Sequence, residues 1–224
     1  MGRRQIIDRV SVNQSDYIYL HGFASGPRSA KAAFFRERFR ELRRSIETPD
    51  LNGENFSTLT LTRQIERVGR ERLASGSPVT LIGSSLGGLM AAWLAEKYVA
   101  VRGLVLLAPA FGFPRRPPTE EMEETLREWE RSGWLSVYHY GYGRSLPIHY
   151  EFVRDAGIYR EEDLTRPVPT LILHGRSDGV IPIERSREYA RSRPHVQLIE
   201  LDSDHALTDV LPRIWTETRN FLEL

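Results

Sequence analysis

The chain has 224 residues, 40% of them hydrophobic, which is enough to bury one sizeable core and makes a single domain over 1–224 the default. Lysine and arginine number 31 against 30 acidic residues, so a formal charge of +1 supplies no global field toward nucleic acid or an anionic membrane surface. The absence of cysteine excludes disulfides and thiolate metal sites.

Met1–Asp8 lacks an apolar core and a small-residue cleavage site, which argues against a signal peptide. Ile6 stands where a myristoylation motif wants Ser or Thr. Even the apolar run Gly103–Ala110 stops at eight residues, far short of a membrane span. The expectation is a cytoplasmic protein without stable membrane insertion.

In chain order, the first element is a strand over 17–21, Tyr-Ile-Tyr-Leu-His, running into Gly22-Phe23-Ala24. An imidazole at a strand end before glycine suits an architectural role for His21 better than a catalytic one. A helix over 29–43 comes next, with Phe35, Phe39 and Leu42 at helical spacing. Arg28 and Lys31, beside the first loop, are expected to be solvated rather than to meet an acidic substrate group. A strand over 45–49 and a helix over 58–75, with Leu61, Ile65 and Val68 in register, complete this part.

The next unit is the most informative. Pro78-Val-Thr-Leu-Ile82 reads as a strand, Gly83-Ser84-Ser85-Leu86-Gly87 as a nucleophile elbow, and 86–98 as a helix. A serine is a poor nucleophile unless it is held exposed beside a base, and a sharp strand-to-helix turn does that. The motif centres on Ser85. Gly83 and Gly87 bring no Cβ into the tight turn, while Gly88, Ala91, Ala92 and Ala95 let the helix lie close on the sheet.

After a strand over 102–108 the alternation breaks between 111 and 163. Pro114–Pro118 is succeeded by Thr119 and an acidic first turn that opens a helix. The aromatic stretch Trp134–Gly143 comes next, and Leu146–Val153 suggests another helical piece. Trp134, Tyr138 and Tyr140 are read as anchors of this insertion to the body in preference to substrate contacts. His139 and His149 have no ligand-like spacing with a carboxylate, so no metal is assigned.

Alternation resumes with a strand over 170–174 and the loop Arg176-Ser-Asp178-Gly, a helix over 184–192, and a strand over 196–200. Asp202-Ser-Asp204-His205-Ala206 then leads to a helix over 208–223, with Leu211, Trp215, Thr218 and Leu222 along one face. Alternating strands and helices predict a doubly wound, mostly parallel sheet. Ser85, Asp178 and His205 each come just after a strand, so all three emerge at the edge where open α/β sheets place their sites. Ser, Asp, His is also the chain order of α/β-hydrolase triads. Glu200, Asp202 and Asp204 lie near His205 as well; Asp178 is the preferred acid.

His-Gly-Phe, Ser25-Gly-Pro-Arg-Ser-Ala-Lys31, Gly-Ser-Ser-Leu-Gly-Gly, His174-Gly-Arg-Ser-Asp178 and Ser203-Asp-His-Ala206 together resemble the bacterial YqiA/YcfP-type esterases of the α/β-hydrolase superfamily, over residues 16 to 223. The resemblance implies an α/β-hydrolase fold with a helical cap insertion over 111–163. It implies a small cytoplasmic hydrolase of carboxylic esters or thioesters and carries Ser85, Asp178 and His205 over as the triad. The chain departs from the shortest members of that family in its long segment between Ala108 and Pro167. In this fold half the oxyanion hole comes from the loop after the first strand, so the backbone N–H groups of Phe23 and Leu86 are the expected donors.

The reading is therefore a cofactor-free serine esterase acting on a small-molecule ester. The alternatives are an acyl-thioesterase or lipid-specific hydrolase with the same residues, or a non-catalytic ligand-binding module on a hydrolase scaffold. A dehalogenase or epoxide hydrolase of this fold needs an Asp at the elbow, which Ser85 excludes.

Overall fold

The computed structural model describes residues 16–117 and 119–224; the readings made on Met1–Asp8 and on Pro118 lie outside the described residues. In chain order the elements are β1 (Tyr17–Leu20), α1 (Ala30–Glu41), α2 (Leu61–Val68), β2 (Val79–Ser84), α3 (Leu86–Lys97), β3 (Val101–Leu107), α4 (Glu120–Ser132), β4 (Trp134–His139), β5 (Arg144–His149), α5 (Glu151–Ala156), β6 (Thr170–Gly175), α6 (Glu184–Arg191), β7 (Val196–Leu201) and α7 (Leu211–Leu222). Five strands form one all-parallel sheet in the order β1-β2-β3-β6-β7.

The strand expected over 45–49 is reduced to a single parallel bridge between Ile18 and Glu47. The Tyr19 and Glu47 amides make its hydrogen bonds, at 2.7 and 2.9 Å, to the Glu47 and Tyr17 carbonyls. Pro49, two residues on, has no amide with which to extend the ladder. The bridge lies on the outer edge of β1, whereas β2 pairs on its inner edge. The chain therefore winds outward once and then returns, which puts the topological switch point at the carboxyl ends of β1 and β2.

Strand alternation divides the core between the two faces. Tyr19, Ile82, Val105 and Leu173 pack with Phe35 and Phe39 of α1 and Ile214 of α7; Leu20, Leu81, Leu104 and Ile172 pack with Ile65 of α2 and Leu89 of α3. Each such side chain, fully buried, contributes on the order of 1.5–3 kcal/mol. Along α7 the fully buried positions are Ile214 and Thr218, while Leu211, Trp215 and Leu222 pack at the margin of the core. The helix expected over 58–75 starts at Leu61, where the Thr60 hydroxyl accepts from the Arg63 amide at 3.2 Å. It widens into a π-turn over Gly69–Leu73. A Cβ on Gly69 would lie 1.9 Å from the Tyr98 hydroxyl, so this turn is shaped around that ring.

The insertion is part helix and part hairpin rather than helical. Thr119 caps α4 by accepting from the Met122 amide at 3.2 Å. The segment over Leu146–Val153 is not one helical piece: it is the end of β5, paired antiparallel with β4, and then the start of α5. Leu135, Val137 and His139 face inward along β4, and Trp134, Ser136 and Tyr138 face out. Trp134, Tyr138 and Tyr140 are 49, 51 and 78% exposed, so their side chains do not anchor the insertion. The anchors are fully buried His139, whose Nε2–H donates to Asn52 Oδ1 at 3.0 Å, and the Tyr140 amide, which donates to the Ala24 carbonyl at 2.8 Å. Inside the insertion the Trp129 indole N–H donates to the Ile148 carbonyl at 3.1 Å. Among the described residues no helix is long and apolar enough to cross a membrane.

Candidate active site

Ser85 sits between β2 and α3 with φ 53° and ψ −118°, a conformation that costs a non-glycine residue roughly 1–3 kcal/mol. Surrounding backbone holds it there. The Ser85 amide donates to the Leu107 carbonyl at 2.9 Å and its carbonyl accepts from Ala110 at 3.0 Å. A Cβ on Gly83 would come within 2.4 Å of the Gly87 carbonyl oxygen, and one on Gly87 within 2.2 Å of the Leu20 oxygen and 2.6 Å of the His21 oxygen. These neighbours are main chain and cannot swing aside. Gly87→Ala is therefore expected to cost about 2 kcal/mol or more as an overpacking change, roughly 5 °C in Tm. Ester turnover should fall further than stability does, because the displaced end of β1 leads into Phe23; a variant unchanged in both would contradict this account of the elbow.

The structure brings Ser85, His205 and Asp178 into one line. The Ser85 hydroxyl donates to His205 Nε2 at 3.1 Å, and His205 Nδ1–H donates to Asp178 Oδ2 at 2.7 Å. Asp178 is buried, and its other oxygen accepts from the Val180 and Ile181 amides, both at 2.8 Å. Burial alone would raise its pKa. Hydrogen bonds from His174, His205 and the Ile181 amide outweigh that and hold the carboxyl well below the usual carboxylate range. The other acids near His205 are engaged elsewhere. Glu200 is bound by Arg187 and Arg176, the Asp202 side chain is 96% exposed, and Asp204 Oδ1 accepts from the Ala206 and Leu207 amides of its own loop. Ser84, the neighbour of Ser85, is buried with its side chain bonded to Tyr19.

Two contacts escaped the sequence reading. His174, at the end of β6 and fully buried, lies with Nε2 3.1 Å from Asp178 Oδ2 and 2.9 Å from the Ile181 carbonyl, and Nδ1 2.8 Å from the Ser186 hydroxyl. Two acceptors at Nε2 require the proton there, so the Ser186 hydroxyl donates to Nδ1. Lys31 is not simply solvated: its ammonium donates to the Ala206 carbonyl at 2.7 Å and ties α1 to the loop that carries His205. Burial lowers the Lys31 pKa, against the opposing pull of Asp204 and Asp178. Arg28 is exposed.

His21 occupies an architectural position. Its Nε2 accepts from the Leu51 amide at 3.0 Å, so the ring proton sits on Nδ1, 2.9 Å from the Gly22 carbonyl. Two residues on, Phe23 is stacked on Phe152 at 4.9 Å between ring centroids and also meets Phe56. Leu86 is the first residue of α3, where amides have no intrahelical acceptor. Phe23, Ser85 and Leu86 line one apolar chamber of about 370 Å³, whose far walls include Trp129, Leu135 and Val137 of the insertion. A larger hollow of about 610 Å³, between Arg28, Asp50 and Tyr140, contains none of the three triad-forming residues. Among the described residues no group of three or more His, Asp or Glu side chains could hold a metal ion.

Residues 16–222 match the model of the family described as Uncharacterised protein family (UPF0227). Solved structures with the same architecture include mouse alpha/beta hydrolase domain-containing protein 10, at 23% identity and TM-score 0.73 over 92% of this chain and 89% of that one. Est1E from Butyrivibrio proteoclasticus matches at 18% identity and TM-score 0.70 over 96 and 92% of the two chains. Paleococcus ferrophilus monoacylglycerol lipase matches at 16% identity and TM-score 0.67 over 90 and 96%. At these identities the likeness establishes the α/β-hydrolase fold.

Proposed function

We propose that this chain, which belongs to the UPF0227 family, is a serine hydrolase that cleaves carboxylic esters through an acyl-enzyme. One observation carries the reading: the unbroken hydrogen-bonded line from the Ser85 hydroxyl through His205 to Asp178, at the mouth of an apolar chamber. The fold shared with Paleococcus ferrophilus monoacylglycerol lipase, which by its name acts on an ester, supports it.

In the proposed reaction Ser85 Oγ attacks the carbonyl carbon while its proton passes to His205 Nε2. The Phe23 and Leu86 amides hold the oxyanion that forms, a role worth on the order of a hundredfold to a thousandfold per donor. Collapse of the tetrahedral adduct breaks the ester C–O bond, and the departing alcohol takes the proton from Nε2. Water then attacks the acyl-enzyme, its proton going to Nε2 and on to Ser85 Oγ as the acid leaves. A thioester runs through the same steps with a thiol as leaving group. The cytoplasm is the chain's place of work in this reading, as the family resemblance implies.

A fluorophosphonate probe should label the protein once, with the mass increment mapped to Ser85; label elsewhere, or none, would favour a ligand-binding module on a hydrolase scaffold. In a p-nitrophenyl ester panel, short and medium acyl chains should be preferred, because the chamber that Ser85, Trp129 and Leu135 line holds only about 370 Å³. Faster turnover of palmitoyl than of butyryl ester would overturn that preference.

A further inference from the structure

Two cationic side chains, Arg116 and Arg185, line the otherwise apolar chamber that holds Ser85, and both also border a second depression of about 180 Å³. They converge over Gly112. A Cβ at that glycine would lie 3.2 Å from Arg185 Nε and 3.4 Å from Arg116 Nε. They share a single carboxylate, Glu188, whose Oε2 is 2.6 Å from Arg116 Nη1 but 3.6 Å from Arg185 Nη1.

Glu188 holds Arg116 closely and Arg185 loosely, so the trio carries one positive charge in excess. The Arg185 side chain is only 19% exposed, and among the described residues its one hydrogen bond is a long one, 3.5 Å to the Arg116 carbonyl. A guanidinium offers five donors in a rigid fork, and one long hydrogen bond with one long ion pair leaves most of them to solvent or to a ligand's oxygens. The other neighbouring acids are engaged elsewhere. Glu161 accepts from the Gly112 amide, and Glu162 pairs with Arg115 and Arg160.

We propose that Arg185, with Arg116 beside it, is an anion-binding wall of the chamber, so that the favoured substrates are esters or thioesters carrying a carboxylate or phosphate a few bonds from the scissile carbonyl. The inference rests on the hydrolase reading and specifies its substrate class. Two oxygens of a carboxylate or a phosphate match the fork geometry, and the apolar residues that line the same chamber as Ser85 and the arginines suit a carbon spacer.

The test compares pairs of equal chain length. On the acyl side, p-nitrophenyl monoesters of succinic, adipic and suberic acids are set against p-nitrophenyl butyrate, hexanoate and octanoate. On the alcohol side, the butyryl ester of glycerol phosphate is set against that of glycerol. The expected result is a kcat/KM at least tenfold higher for the anionic member at one length, shrinking with added salt as a screened charge contact must. Arg185→Gln should lower kcat/KM for the anionic member roughly tenfold more than for its neutral partner of equal length, in line with the loss of one charge-assisted contact. Glu188→Gln, which breaks the internal pair but keeps both cations, should hold or raise the preference; if the arginines only brace the chamber, it will lower neutral and anionic turnover together. Neutral esters ahead in both arms, or a ratio indifferent to Arg185→Gln, would overturn the proposal and leave the hydrolase reading standing. No turnover of any ester, with Ser85 inert to fluorophosphonate, would sink both.

Discussion

Ser85→Ala is expected to lower ester turnover by about a millionfold, and His205→Ala by a similar factor, since nucleophile and base act as one unit. The double variant should then cost no more than either single change. No neighbouring hydroxyl can substitute, because the Ser84 side chain is buried and already bonded to Tyr19. Residual rate in each variant should come from the Phe23 and Leu86 amides polarising the carbonyl for direct attack by water. Stability should hardly change on losing the Ser85 hydroxyl, because its hydrogen bond to His205 is half-exposed and the backbone bonds of the elbow remain. The measurement is single-turnover and steady-state hydrolysis of p-nitrophenyl butyrate beside a melting curve. Most of the wild-type rate surviving in Ser85→Ala would remove the nucleophile assignment.

The sheet and the three convergent residues are legible in the sequence because each of the three comes directly after an apolar strand, and the loops leaving parallel strands all emerge at one edge. The features that stay hidden have particular causes. In Trp134-Leu-Ser-Val-Tyr-His the outward set carries the large aromatics Trp134 and Tyr138 and the inward set ends in the polar His139, so a period of two carries little contrast in hydrophobicity. The same masking gives the exposed aromatics the look of anchors while His139, a polar residue, does the anchoring through Asn52. Over 45–49 the alternating β-branched Ile46 and Thr48 suit a strand, but Pro49 limits the pairing to a bridge. His174 looks like an ordinary strand residue until the loop turns Asp178 back onto it, four positions later. Arg116 and Arg185 stand 69 residues apart and meet only through the tertiary fold.

Asp178→Asn should lower kcat by about ten thousandfold without unfolding the protein, and the reason is tautomeric. The groups hydrogen-bonded to this carboxylate donate to it: the Val180 and Ile181 amides to Oδ1, and His205 and His174 to Oδ2. An asparagine has one oxygen to offer and an NH2 group that can only donate. The two backbone amides cannot invert, so the asparagine oxygen must stay with them and the NH2 group falls on the imidazole side. His174 can keep its Nε2 proton, because the Ile181 carbonyl accepts it at 2.9 Å. The conflict therefore lands on His205, which is pushed to accept at Nδ1 and to carry its proton on Nε2, facing Ser85 Oγ with a donor where an acceptor is needed. Losing the charge-assisted bonds should also cost about 2–3 kcal/mol of stability at neutral pH. The sign with pH is set by the depressed Asp178 pKa: its contribution is complete above the carboxylate's unfolded value and fades only as pH falls toward the lower folded one. The stability gap between wild type and Asp178→Asn should accordingly be flat from neutral pH into mild acid and close only in strong acid. Chemical denaturation across that range, with ester kinetics on the same samples, checks both halves. An Asp178→Asn enzyme within tenfold of wild type would show that the imidazole takes its orientation from some other group.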